Sequence, residues 1–451
     1  MLALALLTGC GQGGGTQTPA AFALPQPDQL VEVTLPESCE TLDQLADAID
    51  TAIFLSPTDA QGETVWFSLG EVLREEALAD PDAFVGRVLQ ITALGHDLAQ
   101  TYNTSRLEEG LLGVQGGFQP AYALRTPQEE PYDRAISYTL CRNAMERAAG
   151  LTWEELPLCR DNRGWVRVVN SEQLFYALSH GYLPWCTPDD PAFPLLERCV
   201  AILSSIIPQG AGEREIYTAI YQYVTSRVAY SYTTLAEGGR NRRENRAMFL
   251  EGALTDELAV CDGLSKEIVV LSRLMGLDAR HIGARDSQGG HAYVYVQVEG
   301  NWYLSCPTRG SGRSPTSAGG WRNYPLNSYL LTDFDTNMPG WEYDSDAWED
   351  IEAEIRTVKP FDFWGDTTVE IDQQTYSLHP ETQEEAMAVL EDGLHLSRER
   401  GEPVAVELMG SVDVLRGAYQ TLKDRGEDVA YLSAGTFAGK RLQVYVLGEG
   451  A

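Results

Sequence analysis

The helix that decides the fold begins inside the stretch LAVCDGLSKEIVVLSRLMGL, residues 258–277. Five residues recur at intervals of three or four, the spacing of one helical face. They are Cys261, Leu264, Ile268, Leu271 and Met275. Gly276 is a typical C-terminal stop. The sequence therefore predicts a helix that carries Cys261 on its first turn and turns one side toward a core.

The position of Cys261 suits a nucleophile. A helix N-terminus presents unpaired N–H groups and a partial positive charge, which lower the pKa of a thiol and can also hold an oxyanion. Cysteine is also among the most frequently buried residue types. For this helix taken alone, an inert core cysteine is therefore the competing interpretation.

A predicted hairpin supplies two further groups. Residues 291–304 read HAYVYVQVEGNWYL, two alternating strands joined around Glu299 to Asn301. With a two-residue loop, Cys306 lies opposite Tyr293 or Tyr295 and on the same side of the sheet as His291. A three-residue loop breaks that alignment. A cysteine at a helix start, a histidine on a strand and a third group on the neighbouring strand match a nucleophile, a base and an orienting residue.

Residues 213–335 resemble the transglutaminase-like superfamily of papain-related enzymes. The motifs that carry the resemblance lie in the order and at the spacing of that family: Val228-Ala229-Tyr230, Val260-Cys261-Asp262-Gly263, Leu274-Met275-Gly276-Leu277, His291-Ala292-Tyr293, Trp302 to Thr308, and Tyr329 to Asp335.

The resemblance implies a papain-like α+β core and acyl chemistry at an amide. By it, Cys261 attacks a carboxamide or peptide carbonyl, His291 takes and returns the proton, and an acyl-enzyme forms. Water as the acceptor gives hydrolysis, and an amine gives a crosslink. The family's third position is usually aspartate, whereas this chain has Cys306 there, and Arg309 replaces the aromatic residue after the threonine.

The substitution at Cys306 leaves four interpretations. Cys261 and His291 act as a dyad, assisted by a Cys306 thiolate or by Asp333 or Asp335. Alternatively, catalysis is lost and the fold serves as an envelope binding or scaffold module. The third interpretation is a disulfide or redox switch at Cys306. The fourth is a zinc site formed by Cys261, His291 and Cys306.

The first residues of the chain predict where the protein is located in the cell. The sequence Leu7-Thr8-Gly9-Cys10 follows a short apolar run and precedes a Gly/Thr/Gln/Pro stretch, and it resembles a bacterial lipobox. Lipidation of Cys10 would hold an extracellular protein on the cell membrane. A tail with an incidental cysteine is the alternative. The expected substrate is a protein or peptide at the cell envelope.

The expected organisation is a signal peptide (1–10), a linker (11–28), an N-terminal mixed α/β region (29–195), a transglutaminase-like domain (196–345) and a small C-terminal α/β sandwich (360–451). The last of these follows from a strand and helix alternation over residues 367–449. Strand-then-capped-helix signals recur in the flanking regions, at QLVEVTL with Thr41, WVRVV with Asn170, and TTVEI with Thr382.

The composition of the chain limits the classes of partner that it can bind. The 451 residues carry a net charge of −33, which repels phosphate backbones and argues against nucleic acid. Apart from Cys10 and Cys261, six cysteines are present, an even set that an extracellular location would permit to pair: Cys39, Cys141, Cys159, Cys186, Cys199 and Cys306. No cofactor is expected. The histidines at 180, 281 and 379 are interpreted as solvated or satisfied structural residues.

Overall fold

Helices and strands alternate irregularly along the chain, and this agrees with the predicted α+β class. The structure, a computed structural model, describes residues 22–56, 64–94, 104–115, 124–126, 137–138, 150–158, 162–237, 244–286, 289–311, 314–315, 321–322, 329–330, 368–371, 374–377, 379–401, 403–437 and 440–448.

The helices within these ranges are α1 Leu42–Leu55, α2 Glu71–Ala79, α3 Pro81–Ile91, α4 Thr104–Leu107, α5 Ser171–Ser179, α6 Ala192–Ile206, α7 Glu213–Arg227, α8 Tyr232–Ala236, α9 Cys261–Leu274, α10 Pro307–Ser311, α11 Gln383–Arg400 and α12 Val412–Asp424. Short 3₁₀ turns cover Trp153–Glu155 and Arg246–Met248, and one π-helical turn covers Gly252–Asp256.

The strands are β1 Thr64–Ser68, β2 Leu111–Gln115, β3 Ser137–Tyr138, β4 Trp165–Arg167, β5 Leu183–Trp185, β6 Ala229–Tyr230, β7 Leu258–Ala259, β8 Ala279–Asp286, β9 Gly289–Val298, β10 Asn301–Ser305, β11 Ser314–Pro315, β12 Trp321–Arg322, β13 Thr368–Ile371, β14 Gln374–Ser377, β15 Val404–Ser411, β16 Val429–Phe437 and β17 Lys440–Leu447. Strands β8, β9 and β10 form one antiparallel sheet in the order β10-β9-β8.

Helix α9 begins at Cys261, as predicted. Its apolar face is fully buried at Leu264, Ile268 and Leu271. The helix stops because Gly276 takes φ +76°, a left-handed conformation that favours glycine. The chain then runs directly into β8, so α9 packs against the sheet that carries His291.

The hairpin β9–β10 has a two-residue loop, the one of the two expected loop lengths that aligns Cys306 with His291. Val298 pairs with Asn301, and the two residues between them have positive φ, 52° at Glu299 and 82° at Gly300. Positive φ at both central positions is the requirement of a type I′ turn, whose twist matches that of the strands.

The register of this hairpin confirms the expected neighbours. Ser305 lies opposite Val294, and the next residue, Cys306, therefore follows on the level of Tyr293. Because strand side chains alternate between faces, Cys306 and His291 project from the same side of the sheet.

One continuous cluster of buried side chains joins the predicted N-terminal region to the predicted central domain. It extends from Cys39 through helices α1, α3, α5 and α6 to α9 and the β9–β10 hairpin. Phe22, near the end of the predicted linker, contacts the rings of Trp153 and Phe193. A second cluster lies between α11, α12 and the strands β15 and β17.

The C-terminal region contains the predicted alternation of strands and helices, together with β14, which was not predicted and pairs with β13. Strands β15, β16 and β17 are antiparallel neighbours in the order β16-β17-β15, and α11 and α12 pack against them. One contact was not predicted: β3, from the N-terminal region, joins this sheet in parallel with β15.

The three predicted helix caps are present. The side chains of Thr41, Asn170 and Thr382 each accept a backbone N–H from the first turn of the following helix. The predicted strand at residues 29–35 is wrong, because Leu30 there makes only an isolated bridge to Trp165.

Several predicted features lie outside the described residues, among them Cys10 with the lipobox, Asp333 and Asp335. In the part of the chain that the structure does describe, no helix is both long enough and apolar enough to cross a membrane.

Helix α9 also buries an acidic side chain, Glu267, which is 1% exposed. Its two carboxylate oxygens have no hydrogen-bond partner among the described residues. Burial raises the pKa of Glu267 from 4.5 to about 8, the charge of Arg198 offsets part of the rise, and Glu257 adds to it. A carboxyl whose pKa is higher in the folded state holds its proton more tightly there, so the free energy of unfolding falls as pH rises from its unfolded pKa toward its folded pKa.

We predict that Glu267→Gln removes this pH-dependent loss of stability. At about pH 4 the variant and the parent protein should differ little, and at about pH 9 the variant should be more stable by on the order of a few kcal/mol. Urea unfolding at both pH values measures the difference. Glu197→Gln, at an exposed position of α6, is the matched control and should leave the pH dependence unchanged. Equal pH dependence in the parent protein and Glu267→Gln contradicts the prediction.

Candidate functional site

The structure brings Cys261, His291 and Cys306 together. The imidazole Nε2 of His291 lies 3.3 Å from the Cys306 Sγ. The thiol of Cys261 accepts a hydrogen bond from the backbone N–H of Ala292, the residue that follows His291 on β9. The start of α9, the start of β9 and the end of β10 therefore converge at one site.

The expected acidity of Cys261 is not found. Cys261 is half-buried, and burial raises the pKa of its thiol to about 12. The charge of Asp262 adds to the rise, and the N–H groups of Ala292 and Asp262 offset only part of it. The resting thiol is therefore neutral, because desolvation outweighs the favourable position at the helix start.

Cys306 is held in a fixed place by backbone contacts. Its residue is 1% exposed. The hydroxyl of Tyr221 donates to the Cys306 carbonyl at 3.0 Å, and the N–H of Arg309 donates to the same oxygen at 3.1 Å. These contacts fix the position from which the thiol faces His291.

The Cys306 sulfur lies among hydrogen-bond donors. The N–H groups of Thr308 and Arg309 both point at it, and the positive charge of Arg309 favours its thiolate. Burial nevertheless dominates and raises the pKa of the Cys306 thiol. At neutral pH the third group of the site is thus a thiol whose sulfur is placed to accept hydrogen bonds.

The His291 ring is positioned by its neighbour on the sheet face. It meets the ring of Tyr293 edge-on, with the ring centroids 4.5 Å apart and an interplanar angle of 79°. His291 itself is half-buried, whereas Tyr293 is 1% exposed. The imidazole therefore rests on a buried aromatic ring at the edge of the core.

Gly263, two residues after Cys261, allows the helix start to pack closely. A Cβ at this position would lie 2.7 Å from the carbonyl oxygen of Ala247. The same oxygen accepts the N–H of Val260 at 3.0 Å. The turn around Ala247 thus fixes the residues on both sides of Cys261, and only glycine fits there without displacement.

A buried ion network under the helix start was missed from the sequence. The amine of Lys266 lies 2.8 Å from Glu172 and 3.2 Å from Asp262, and Asp262 lies 3.0 Å from the His281 ring. Burial raises the pKa of Glu172 to about 7, and the Lys266 charge opposes that rise. His281 is therefore a buried structural residue rather than a solvated one.

Part of this network had a signal in the sequence. Asp262 and Lys266 are four residues apart, the spacing of neighbours on a helix. Glu172 comes from α5, 94 residues away in sequence, so no local pattern connects it to Lys266. The rings of Phe175 and Phe249 lie 5.6 Å and 5.4 Å from the amine and complete the enclosure.

The zinc and disulfide interpretations gain no support from the geometry. Among the residues that the structure describes, no group of three His, Cys, Asp or Glu side chains is arranged to hold a metal ion. The described cysteines are thiols, not disulfides: Cys39, Cys186, Cys199, Cys261 and Cys306. Cys141 and Cys159 lie outside the described residues.

Comparison with known proteins places one family in this region. A model of the transglutaminase-like superfamily matches residues 202–306. The match supports a transglutaminase-like domain there. The segment contains Cys261, His291 and Cys306, the three residues that the sequence singled out.

Among solved structures, the chain is similar to one described as the crystal structure of a TGase, with 20% identity and a TM-score of 0.21. The similarity covers 26% of this chain and 30% of that one. A comparison with curated proteins finds no match.

The raised pKa of Cys261 leads to a prediction about its reactivity. Since only the thiolate reacts, alkylation by iodoacetamide should accelerate about tenfold per pH unit from about pH 6 to pH 9, without a plateau. Mass spectrometry of the peptide that contains Cys261 measures the rate, and Cys261→Ser confirms the assignment. A plateau near pH 6 would instead show a thiolate stabilised by His291 and contradict the prediction.

Proposed function

We propose that this protein is a cysteine-dependent acyl-transfer enzyme, a peptidase, amidase or protein-crosslinking enzyme that acts on proteins or peptides at the cell envelope. The observation that carries the proposal is the position of His291. Its Nε2 faces Cys306 at 3.3 Å, while the N–H of the adjacent Ala292 reaches the Cys261 thiol. This arrangement supports Cys261 as the nucleophile, His291 as the base and Cys306 as the orienting group of an acyl transfer.

In this mechanism His291 acts as a general base. Because the Cys261 thiol is neutral at rest, its proton passes to the imidazole as the sulfur attacks the carbonyl carbon. A tetrahedral intermediate forms, and His291 returns the proton to the leaving amine. The thioester on Cys261 then reacts with water, which gives hydrolysis, or with a primary amine, which gives a crosslink.

Cys306 acts by fixing the tautomer of His291. When the Cys306 sulfur accepts the Nε2–H of the ring, Nδ1 carries the lone pair and is the nitrogen that receives the Cys261 proton. A neutral thiol stabilises the resulting imidazolium less than a carboxylate does. Arg309 and the N–H groups of Thr308 and Arg309 favour the thiolate of Cys306 and so partly compensate.

A binding or scaffold module is the second candidate. The raised pKa of Cys261 and the thiol in place of a carboxylate at position 306 both favour it. In that case the same side chains are packed in the same places but transfer no acyl group.

Acylation of Cys261 distinguishes the two candidates. With p-nitrophenyl acetate as the probe, we expect an acetyl group on Cys261 in the parent protein and none in Cys261→Ser. His291→Ala should acylate at least about a hundredfold more slowly, since general base catalysis is lost. Cys306→Asp should acylate at least about tenfold faster, since a carboxylate stabilises the imidazolium better. Intact mass and the release of p-nitrophenol measure both rates.

Equal acylation in the parent protein and His291→Ala would overturn the enzyme in favour of the binding module. Urea unfolding of each variant serves as the control for folding. Cys306→Ser keeps a small polar group of nearly the same shape, and its Cys261 should be acylated more slowly than in the parent protein.

We propose further that Cys10 is lipidated and anchors the protein on the outer face of a cell membrane. The lipobox-like sequence before Cys10 supports this, and the net charge of −33 makes nucleic acid an unsuitable partner. In cells that process lipoproteins, Cys10→Ala should move the protein from the membrane fraction to the soluble fraction, because a lipid chain supplies the anchoring energy. Retention of Cys10→Ala in the membrane fraction would contradict the anchor.

A further inference from the structure

Tyr230 lies beside the start of α9 although it is 31 positions earlier in the sequence. Strands β6 and β7 pair in parallel, with Tyr230 opposite Ala259. The N–H of Ser231 donates to the Ala259 carbonyl at 2.8 Å, and the N–H of Ala229 donates to the Glu257 carbonyl at 2.8 Å. Backbone bonds on both sides thus fix Tyr230 next to the residues that lead into Cys261.

The hydroxyl of Tyr230 meets the first backbone amide of the nucleophile helix. The N–H of Cys261, which has no acceptor within its own helix, donates to the Tyr230 oxygen. Tyr230 is 5% exposed, and its neighbour Tyr232, 37% exposed, stacks edge-on against it at 5.1 Å. The hydroxyl therefore belongs to a buried residue and lies at the first turn of α9.

The same hydroxyl is close to both thiols. Burial raises the pKa of Tyr230, and a charge on Cys261 or on Cys306 would raise it further. Tyr230 accordingly keeps its proton throughout the neutral range and can act only as a neutral hydrogen-bond donor or acceptor. With its oxygen accepting from Cys261, its own O–H points elsewhere.

We propose that the Tyr230 hydroxyl donates a hydrogen bond to the oxyanion that forms when Cys261 attacks a carbonyl group. The carbonyl carbon becomes bonded to the Cys261 sulfur, so its oxygen lies among the groups around the first turn of α9. The Cys261 N–H polarises the phenol by donating to it, and the phenol passes this on to the oxyanion. The inference rests on the proposed acyl transfer and adds the residue that stabilises its transition state.

The step balances with an ester as the acyl donor. The sulfur–carbon bond forms, the thiol proton passes to His291, and the π electron pair of the carbonyl moves to its oxygen, where Tyr230 donates. The pair then returns, the bond to the leaving oxygen breaks, and p-nitrophenol leaves with the proton from His291. Alkylation by iodoacetamide displaces iodide at a saturated carbon and forms no oxyanion.

Comparison of the two reactions tests Tyr230. In Tyr230→Phe, acylation of Cys261 by p-nitrophenyl acetate should fall about a hundredfold, the effect of losing one oxyanion donor. Alkylation by iodoacetamide at the same pH should change less than about twofold, because it forms no oxyanion. A merely structural loss would instead lower the rates of both reactions. Tyr232→Phe is the matched control, since it removes a hydroxyl from the adjacent aromatic residue, and both rates should stay at the parent values.

The outcomes separate the two proposals. A parent protein that is acylated rapidly, together with an equal rate in Tyr230→Phe, overturns the role of Tyr230 alone. A parent protein acylated no faster than His291→Ala overturns both proposals. If Tyr230→Phe does not fold, incorporation of 3,5-difluorotyrosine at position 230 provides the second variant. It keeps the hydroxyl and makes it a stronger donor, so acylation should be faster than in the parent protein, and a rate equal to or below the parent rate would overturn the role.

Discussion

The site depends first on the register of one hairpin. A type I′ turn at Glu299 and Gly300 pairs β9 with β10 so that His291 and Cys306 project from one face. A slip by a single residue would turn one of the two side chains to the opposite face. The turn is held from outside the sheet, because the N–H of Glu299 donates to the Glu213 carboxylate on α7 at 2.7 Å. The first helix that lies wholly within the matched segment thus stabilises the alignment of His291 with Cys306.

The second requirement is the position of the α9 helix start, and buried charge helps to set it. Lys266, with no exposed surface, is paired with Glu172 on α5 as well as with Asp262 on its own helix. Removal of one partner from such a pair leaves a buried charge without compensation, which typically costs about 3–5 kcal/mol. The N-terminal region is therefore part of the structure that positions Cys261, and the shared hydrophobic cluster agrees with this.

Local patterns in the sequence were sufficient for the helix start, the hairpin and the C-terminal strands and helices, because each depends on spacing within a few residues. The Lys266–Glu172 pair and the β3–β15 contact join distant segments, and no local pattern encodes them. The pKa of Cys261 was predicted in the wrong direction for a different reason. A helix N-terminus stabilises a negative charge by about 0.3–1 kcal/mol, up to about 2 kcal/mol when partly buried. A rise from 9.0 to about 12 corresponds to about 4 kcal/mol against the thiolate, so burial and Asp262 outweigh the helix.

Because the resting site is neutral, the proposed catalysis would have to stabilise charge in the transition state rather than in the resting thiol. With Cys261 and Cys306 both protonated, no charge has to be maintained in the buried site before a substrate arrives. In the proposed acyl transfer, charge would appear only as the sulfur attacks, on the imidazole and on the carbonyl oxygen together. Groups that contact those two positions would then lower the barrier without stabilising the resting thiolate. Cys306 with Arg309 lies on the imidazole side, and the Cys261 N–H with Tyr230 lies beside the Cys261 sulfur. The same burial that makes the thiol a poor anion also strengthens each of these hydrogen bonds, because the local dielectric is low.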